Sequence, residues 1–464
     1  MIERMPATDP FEHVVLLMLE NRSFDHMLGA LQPVVTGLDG VPSGGTPRTN
    51  PDVGGAQVAQ LPVAAAVVDP DPKHETPNVI DQLDDGNGRF VKDYERAYPG
   101  LSAAQKQAVM AYQRLDAVGP LHALGRAFAV CDRWFCSVPG PTWTNRLFAM
   151  SGTSLGRVKM PEGIFHPNLH HYAQPSVFRR IEQAGGSVRI YFGDFPLALL
   201  LADRRRPLAA LKFRRLPAFF ADAAGNASDF PDFAFIEPRY LLDPNDDHPP
   251  HDVGAGERLI GEVYAAIRAN RALWESTLLV VAYDEHGGFY DHVVPPAATS
   301  PDRNHQEYTF DRLGIRVPVL LISPWIEPQV IHTVADHTAL LRSLQVRWGL
   351  GAMGQRVAQA ADILAGVRLT AAPRQDVPRL ARPPAARRAT RPPRRSMAPV
   401  RLNDHQRAIV AFSAYLETQT VAPAAQKVRA TTRVMKSPAE ASRVAEERAT
   451  RYLAQLAARS RRRR

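Results

Sequence analysis

The chain has 464 residues, of which 45% are hydrophobic and 22% are charged. This is enough apolar sequence for a large core, so a fully disordered protein is excluded. No apolar run approaches the roughly 18 residues that a membrane-spanning helix needs, and no signal-peptide pattern is visible, so we expect a cytoplasmic protein. Two cysteines, Cys131 and Cys136, exclude a disulfide framework, and we expect both to be small buried residues.

Charge divides the chain into two unlike parts. The net charge is +9, but the segment from Gly366 onward carries 23 Lys and Arg against 6 Asp and Glu, or +17, which leaves −8 for residues 1–365. Residues 373–399 contain seven prolines and eight arginines, a composition typical of extended linkers. We therefore expect a folded body over 1–365, an Arg/Pro-rich, disordered linker over 366–402 and a basic helical tail over 403–464.

The tail is predicted to form two helices. Residues 403–420 have an amphipathic pattern, and Ser-Pro-Ala-Glu at 437–440 is a capping box that opens a second helix. Such a tail is either a solvated appendage or an arm that contacts nucleic acid or another polyanion. In both cases we expect it to be dispensable for the chemistry of the body.

Five short runs rich in apolar residues predict strands, at 14–19, 187–192, 232–236, 277–283 and 317–322. Between them lie segments with apolar residues at helical spacing, such as 257–275 and 337–348. Continuous apolar strands that alternate with helices are typical of a mostly parallel sheet covered on both faces. The predicted fold class is therefore α/β, with a doubly wound central sheet.

Polar residues follow two of these strands directly. Glu20 and Asn21 come after the first strand, and Asp284 and Glu285 come after the run at 277–283. Ligands of parallel α/β sheets bind beyond the carboxyl ends of the strands, and carboxylates gathered there repel one another unless a cation lies among them. Such residues also serve as helix caps and surface charge, but two such strand ends together favour a site for a divalent ion.

The segment 139–148 reads Pro-Gly-Pro-Thr-Trp-Thr-Asn-Arg-Leu-Phe and predicts a tight turn that leads into a helix. Thr142 then lies at or near the helix N-terminus, where free amides and the helix dipole favour an anion. Its hydroxyl is either an N-cap or, beside a metal ion, an attacking nucleophile.

Two histidines in proline-flanked loops are further candidates. His74 ends Asp-Pro-Lys-His at 71–74, and His248 lies in Asp-His-Pro-Pro-His-Asp at 247–252. Loops carry functional residues, and a neighbouring carboxylate can fix the tautomer of an imidazole. A lone histidine is more often structural, so these two stay candidates at this point.

Four motifs together resemble the bacterial phosphoesterase family, which holds phospholipase C enzymes and related acid phosphatases and belongs to the alkaline-phosphatase-like superfamily. They are Glu-Asn-Arg-Ser-Phe-Asp-His at 20–26, Gly-Pro-Thr at 140–142 with Asn145 and Arg146, Asp-Glu-His-Gly-Gly-Phe-Tyr-Asp-His at 284–292, and Asp-His at 336–337. The motifs occur in the order expected for the family. The resemblance implies an α/β/α sandwich.

The resemblance also implies a site and a mechanism. The matches to the family's metal ligands are Glu20, Asn21, Thr142, Asp284 and Glu285, and Thr142 is also the match to the nucleophile that forms a phosphoenzyme intermediate. Asn145 matches an amide beside the phosphate. His74 and His248 match histidines near the phosphate and the leaving group, with His248 as the proton donor.

The sequence departs from the family pattern in two places within the chain. Thr144 stands where the family usually has proline, which removes a rigid helix start. The Arg/Pro-rich tail also differs from the β-rich C-terminal region of some phospholipase C enzymes. The different tail and the missing signal pattern weaken the specific claim of extracellular lipid hydrolysis, but they leave the phosphoester chemistry untouched.

We therefore predict a metal-dependent hydrolase of phosphate esters. The ion is left open among Ca²⁺, Mg²⁺, Mn²⁺ and Zn²⁺, and the substrate among phosphomonoesters, phosphodiesters and phospholipid head groups. A sulfatase-like relative needs cysteine or serine as its nucleophile. The threonine at the matching position, Thr142, argues against that class. The remaining alternative is an inactive or weakly active phosphoester-binding protein tethered to nucleic acid or membrane by its basic tail.

Overall fold

The computed structural model describes residues 10–64, 67–161, 163, 165–169, 172–380, 402–420, 435 and 437–461. The strands of this part of the chain are β1 (His13–Leu19), β2 (Thr49–Pro51), β3 (Gln57–Ala59), β4 (Pro62–Val63), β5 (Tyr112–Gln113), β6 (Ala129–Cys131), β7 (Val188–Phe192), β8 (Phe213–Arg215), β9 (Phe233–Glu237), β10 (Thr277–Tyr283), β11 (Val319–Ile322) and β12 (Gln329–Ile331).

The α-helices of the same residues surround these strands. In chain order they are α1 (Phe24–Leu28), α2 (Thr76–Asn87), α3 (Phe90–Ala97), α4 (Ala103–Met110), α5 (Gly119–Ala127), α6 (Thr142–Ser151), α7 (Val177–Gln183), α8 (Pro207–Ala210), α9 (Leu216–Ala224), α10 (Val253–Ala269), α11 (Arg271–Ser276), α12 (His337–Trp348), α13 (Gln355–Gln359), α14 (Asp404–Thr418) and α15 (Pro438–Arg461).

Eight strands form the central sheet, in the order β12-β6-β11-β10-β1-β9-β7-β8. β1 pairs in parallel with β10 on one side and with β9 on the other. Within this sheet β11 is antiparallel to both of its neighbours, β10 and β6. The sheet is therefore mostly parallel, and the five predicted strands are confirmed to within two residues at each end.

The central strands are buried along their whole length. All seven residues of β1 and of β10 are buried, as are all five of β9. Because successive side chains of a strand point to opposite faces of the sheet, burial of every residue means that both faces are covered. This confirms the predicted α/β class, in which helices sandwich a mostly parallel sheet.

The expectation that the tail is a solvated appendage is wrong for its two helices. α14 contributes Ala408, Ile409, Phe412 and Leu416 to the main hydrophobic core. α15 packs against α14 and α8, and its Glu446 lies 2.7 Å from the Arg215 guanidinium. The apolar face of α14 explains the difference, because burying that face outweighs the solvation that the net charge of the tail suggests.

The first part of the predicted linker also packs on the body. Val377 is buried in the core, and Arg374 NH1 donates to the carbonyl oxygens of Ala127 and Ile326 at 2.6 and 2.9 Å. The rest of the predicted linker, 381–401, lies outside the described residues, as do 462–464 at the end of the tail. At the start of α15 the Glu440 N–H donates to Ser437 Oγ at 3.2 Å, one of the two bonds of the predicted capping box.

Two smaller expectations can be compared with the structure. Among the described residues, no helix is both long and apolar enough to cross a membrane. Cys131 and Cys136 are buried and free, as predicted, and burial raises the pKa of both thiols. Neither cysteine is therefore an activated thiolate.

Candidate active site

The ends of β1 and β10 bring three carboxylates to one edge of the sheet. The two strands are parallel neighbours with Leu19 opposite Tyr283, so the residues that follow them, Glu20 and Asp284, emerge side by side. The Asp284 N–H donates to the Leu19 carbonyl oxygen at 3.1 Å and continues the ladder by one residue. Glu20, Asp284 and Glu285 are completely buried.

Arg146 from α6 lies between two of these carboxylates. Its NH2 atom is 3.1 Å from Glu20 Oε1, and its Nε donates to Asp284 Oδ2 at 3.0 Å. The guanidinium also lies over the Tyr240 ring, 5.4 Å from the ring centroid. The sequence placed Arg146 in a motif without giving it a role, and the structure shows it as a buried counter-charge for Glu20 and Asp284.

Asn21 connects the strand ends to the remaining site residues. Its backbone is left-handed, with φ of 59°, which is uncommon for a residue other than glycine. Its N–H donates to Asp284 Oδ1 at 3.2 Å, and its Nδ2 lies 3.3 Å from His74 Nε2. Gly287 permits this approach, since a Cβ at that position would lie 2.2 Å from the Asn21 carbonyl oxygen.

Thr142 is the first residue of α6 and not its N-cap. The N-cap is Pro141, and no side chain makes a capping hydrogen bond there. Thr142 Oγ1 instead donates to Asn21 Oδ1 at 3.4 Å, so the capping interpretation is excluded and the hydroxyl faces the predicted metal ligands. Thr144 does not displace the helix start, and its hydroxyl donates to the Arg157 carbonyl oxygen at 3.3 Å.

Asn145 stabilises the turn that precedes Thr142. Its Oδ1 accepts from the Val138 N–H at 3.0 Å, and its Nδ2 donates to the carbonyl oxygens of Gly140 and Val138 at 2.9 and 3.2 Å. The amide is thus engaged by the backbone of 138–141. A contact between Asn145 and a phosphate group stays a prediction.

His74 and His248 lie side by side, with ring centroids 5.4 Å apart. The Nδ1 of His74 is 2.9 Å from the Pro72 carbonyl oxygen, and the Nδ1 of His248 is 2.7 Å from the Pro249 carbonyl oxygen. A carbonyl oxygen only accepts hydrogen bonds, so we assign a proton to each Nδ1. The two Nε2 atoms are therefore the nitrogens available to the site.

Asp404, at the start of α14, lies between these two histidines. Its Oδ2 is 3.4 Å from His74 Nε2, and its Oδ1 is 3.6 Å from His248 Nε2. The next residue, His405, places Nδ1 at 2.8 Å from Glu20 Oε2. Neither residue was predicted from the sequence. The feature that could have indicated them is an Asp-His pair in a tail that has only 6 acidic against 23 basic residues.

Burial and charge shift the pKa values of the site. Burial disfavours the charged carboxylate and raises the pKa of Glu20 to about 7, of Asp284 to about 6 and of Glu285 to about 8. Burial alone would lower the pKa of His74, but the carboxylates of Glu285 and Asp404 raise it to about 10. The site therefore holds Arg146 between Glu20 and Asp284 and a protonated His74 whose Nε2 lies 4.0 Å from Glu285 Oε1.

The donor set fits a divalent cation. Glu285 Oε1 is buried without a hydrogen-bond partner in the described part of the chain. Oxygen ligands from Glu20, Asn21, Asp284 and Glu285 suit such an ion. His74, His248 and Asp404 also offer ligand atoms within 4.8 Å of one another.

The later residues of the two long motifs build a second buried network. Arg316 Nε donates to Asp291 Oδ1 at 2.8 Å, and its NH2 donates to Asp25 Oδ1 at 3.0 Å. His292 Nδ1 lies 2.8 Å from Asp25 Oδ2. The Arg316 guanidinium supplies the counter-charge of both carboxylates, as Arg146 does for Glu20 and Asp284.

A buried threonine hydroxyl at a helix N-terminus, bonded to an asparagine at the carboxyl end of a parallel strand, is an arrangement suited to a phosphoric ester hydrolase. The chain belongs to the Phosphoesterase family, whose model matches residues 11–351. The family predicted from the motifs is thereby confirmed, and with it the hydrolase class.

Two curated relatives of this chain are named phospholipase C. The chain is 34% identical to non-specific phospholipase C6 of Arabidopsis thaliana, over 82% of this chain and 77% of the relative. It is 31% identical to phospholipase C B of Mycobacterium tuberculosis, over 80% of each chain.

Solved structures give a weaker likeness. The lipoteichoic acid synthase LtaP of Listeria monocytogenes is 12% identical, with a TM-score of 0.38 over 78% of this chain and 79% of that chain. A protein of the alkaline phosphatase superfamily from Vibrio parahaemolyticus is 10% identical, with a TM-score of 0.31 over 68% of this chain and 72% of that chain.

Proposed function

We propose that this protein hydrolyses phosphate esters in a metal-dependent reaction of the phospholipase C or phosphatase type, with Thr142 as the nucleophile. The observation that carries the proposal is a pair of buried polar atoms in the candidate site that have no hydrogen-bond partner among the described residues. They are Glu285 Oε1 and His405 Nε2. A phosphate group and a cation would supply the missing partners.

The geometry gives each residue a role in a two-step displacement. The deprotonated Thr142 Oγ forms a bond to phosphorus while the bond from phosphorus to the leaving alcohol oxygen breaks. The bound cation supplies Lewis acidity that lowers the pKa of the hydroxyl and neutralises phosphate charge. The N–H groups of the first turn of α6, together with the helix dipole, stabilise the negative charge that develops on the phosphoryl oxygens.

His248 acts as a general acid in the first step and as a general base in the second step. Its Nε2 gives a proton to the leaving alcohol in the first step. In the second step the neutral imidazole takes a proton from water, the water oxygen bonds to phosphorus, and the bond between phosphorus and Thr142 Oγ breaks. His74, held positive by its neighbours, orients and neutralises a phosphate oxygen.

The substrate class follows from the relatives more than from the site. Proteins named phospholipase C cover most of this chain, so we propose phosphodiesters, including phospholipid head groups, as substrates. The candidate residues Glu20, Asn21, Thr142, Asp284 and Glu285 are all present and fully buried, which disfavours the alternative of an inactive phosphoester-binding protein.

Removing divalent ions is the test of metal dependence. We expect a chelator to abolish hydrolysis of an aryl phosphodiester and an aryl phosphomonoester, because the buried carboxylates then lose their compensating charge. Adding back Ca²⁺, Mg²⁺, Mn²⁺ or Zn²⁺ separately should restore turnover with one ion preferred. Metal analysis of the same samples gives a second readout, and full turnover by protein shown to be metal-free would contradict the proposal.

Asp404 is proposed as a positioning residue for the two histidines. Its carboxylate lies within 3.6 Å of both Nε2 atoms, and the first turn of α14 closes the site, since Thr142 and His248 are fully buried. We expect substrate entry to require opening of this turn. Closure then excludes bulk water from the reaction.

Asp404→Ala is expected to lower kcat by up to about 100-fold, because both imidazoles lose a partner that fixes their position. KM should change less, since Thr142 and the predicted metal ligands are untouched. Glu447→Ala, which removes an exposed carboxylate of α15, is the matched control and should behave as the wild type. An unchanged or increased kcat/KM in Asp404→Ala would show that Asp404 merely blocks the site.

A further inference from the structure

A basic cavity lies at the edge of the central sheet, three strands away from β1. It has a volume of about 1280 Å³ and is bounded by the edge strand β8, by α8 and by the end of α15. None of the candidate active-site residues lines it. The cavity is therefore a separate feature, formed jointly by the body and the tail.

Six cations around this cavity have no acidic partner in the described part of the chain. They are Arg179, Arg189, Arg206, Lys212, Arg214 and Arg461. The two carboxylates of the cavity, Glu182 and Asp203, both pair with Arg204, at 2.9 and 3.0 Å. Five of the six lie in residues 1–365, which carry a net charge of −8, so this concentration of unpaired cations does not follow from composition.

Two buried polar atoms of the lining also lack hydrogen-bond partners among the described residues. They are Arg204 NH1 and Ser460 Oγ, and their residues are 1% and 3% exposed. Buried polar groups are nearly always paired in folded proteins. Oxygen atoms of an anion would satisfy both groups.

The apolar part of the lining favours a lipid surface over a nucleic acid. Leu208, at the start of α8, is 61% exposed beside the cations, whereas the aromatic residue of the lining, Phe213, is buried. Binding of single-stranded nucleic acid relies on exposed aromatic rings on which bases stack. Cations next to an exposed apolar side chain are instead suited to the surface of an anionic membrane.

We propose that this cavity binds the phosphate-bearing head groups of anionic phospholipids at a membrane surface, separately from the candidate active site. The tail then has a second purpose besides supplying Asp404, because the end of α15 completes the cavity with Ser460 and Arg461. The proposal does not depend on the reaction catalysed at Thr142.

The test measures vesicle binding by the full chain carrying Thr142→Ala, so that hydrolysis does not alter the lipid. Vesicles of phosphatidylcholine with added phosphatidylglycerol should bind, and vesicles of phosphatidylcholine alone should bind much less. Lys212→Glu combined with Arg214→Glu should weaken binding at least about 30-fold, since each basic residue at an anionic surface contributes strongly. Circular dichroism would establish that this variant is folded.

The matched control reverses two exposed arginines that do not line the cavity. Arg114→Glu combined with Arg443→Glu makes the same change in net charge and should keep binding within about threefold. An equal loss in the control would overturn the proposal, because binding would then follow net charge alone. Tripolyphosphate should compete with vesicles in the wild type. Tripolyphosphate or single-stranded DNA binding at this cavity without vesicle binding would overturn the lipid assignment.

Discussion

Thr142→Ala is expected to lower turnover of an aryl phosphodiester by about 10⁴-fold or more, because the atom that attacks phosphorus is removed. The fold should remain intact. Thr142 is not a helix cap, and its hydroxyl makes one long hydrogen bond, 3.4 Å to Asn21 Oδ1. Losing that bond should cost no more than about 1 kcal/mol of the free energy of unfolding.

Thr144→Ala is the matched control for this variant. Thr144 lies in the same turn of α6, is 3% exposed, and hydrogen-bonds the Arg157 carbonyl oxygen instead of the site. Its variant should keep turnover while losing a comparable amount of stability. Rapid acid quenching followed by mass spectrometry should find a phosphoryl group on the peptide with Thr142. Near-normal turnover by Thr142→Ala would show that another group attacks phosphorus.

The strands and the residues that follow them could be predicted because their signals are local. The predicted strand at 277–283, a threonine followed by six apolar residues, matches β10 at both ends. A polar residue after such a run must lie at the edge of the sheet. Asp284 and Glu285 were therefore found from the sequence. The antiparallel direction of β11 was not, because strand direction depends on the connections around it and not on the run itself.

The residues contributed by α14 could not be predicted, because their place depends on long-range packing. His405 contacts Glu20 across 385 positions of sequence, and no local pattern specifies that contact. The net charge of +17 on the tail even favoured a solvated tail over one packed on the body. Asn145 illustrates a similar limit, since a motif gives a residue type but not whether its amide faces a ligand or its own turn.

Phe412→Ala is expected to lower the free energy of unfolding of the whole protein by about 3–5 kcal/mol, the usual cost of truncating a buried phenylalanine. Phe412 is fully buried, and its ring centroid lies 5.8 Å from Trp143 and 5.9 Å from Phe195. Since Trp143 follows the proposed nucleophile directly, the loss should also disturb the start of α6. Denaturant unfolding, followed by circular dichroism and by tryptophan fluorescence, measures both effects.

Arg407→Ala, an exposed position on the same helix, is the control and should change stability by no more than about 0.5 kcal/mol. If α14 belongs to the body, the two probes should report one transition, and Phe412→Ala should shift it as a whole. A small early transition from the tail, with the main transition unchanged, would instead mean that the tail folds separately. In that case Asp404 and His405 could not be fixed parts of the active site, since a helix that detaches independently does not hold a carboxylate between two buried histidines.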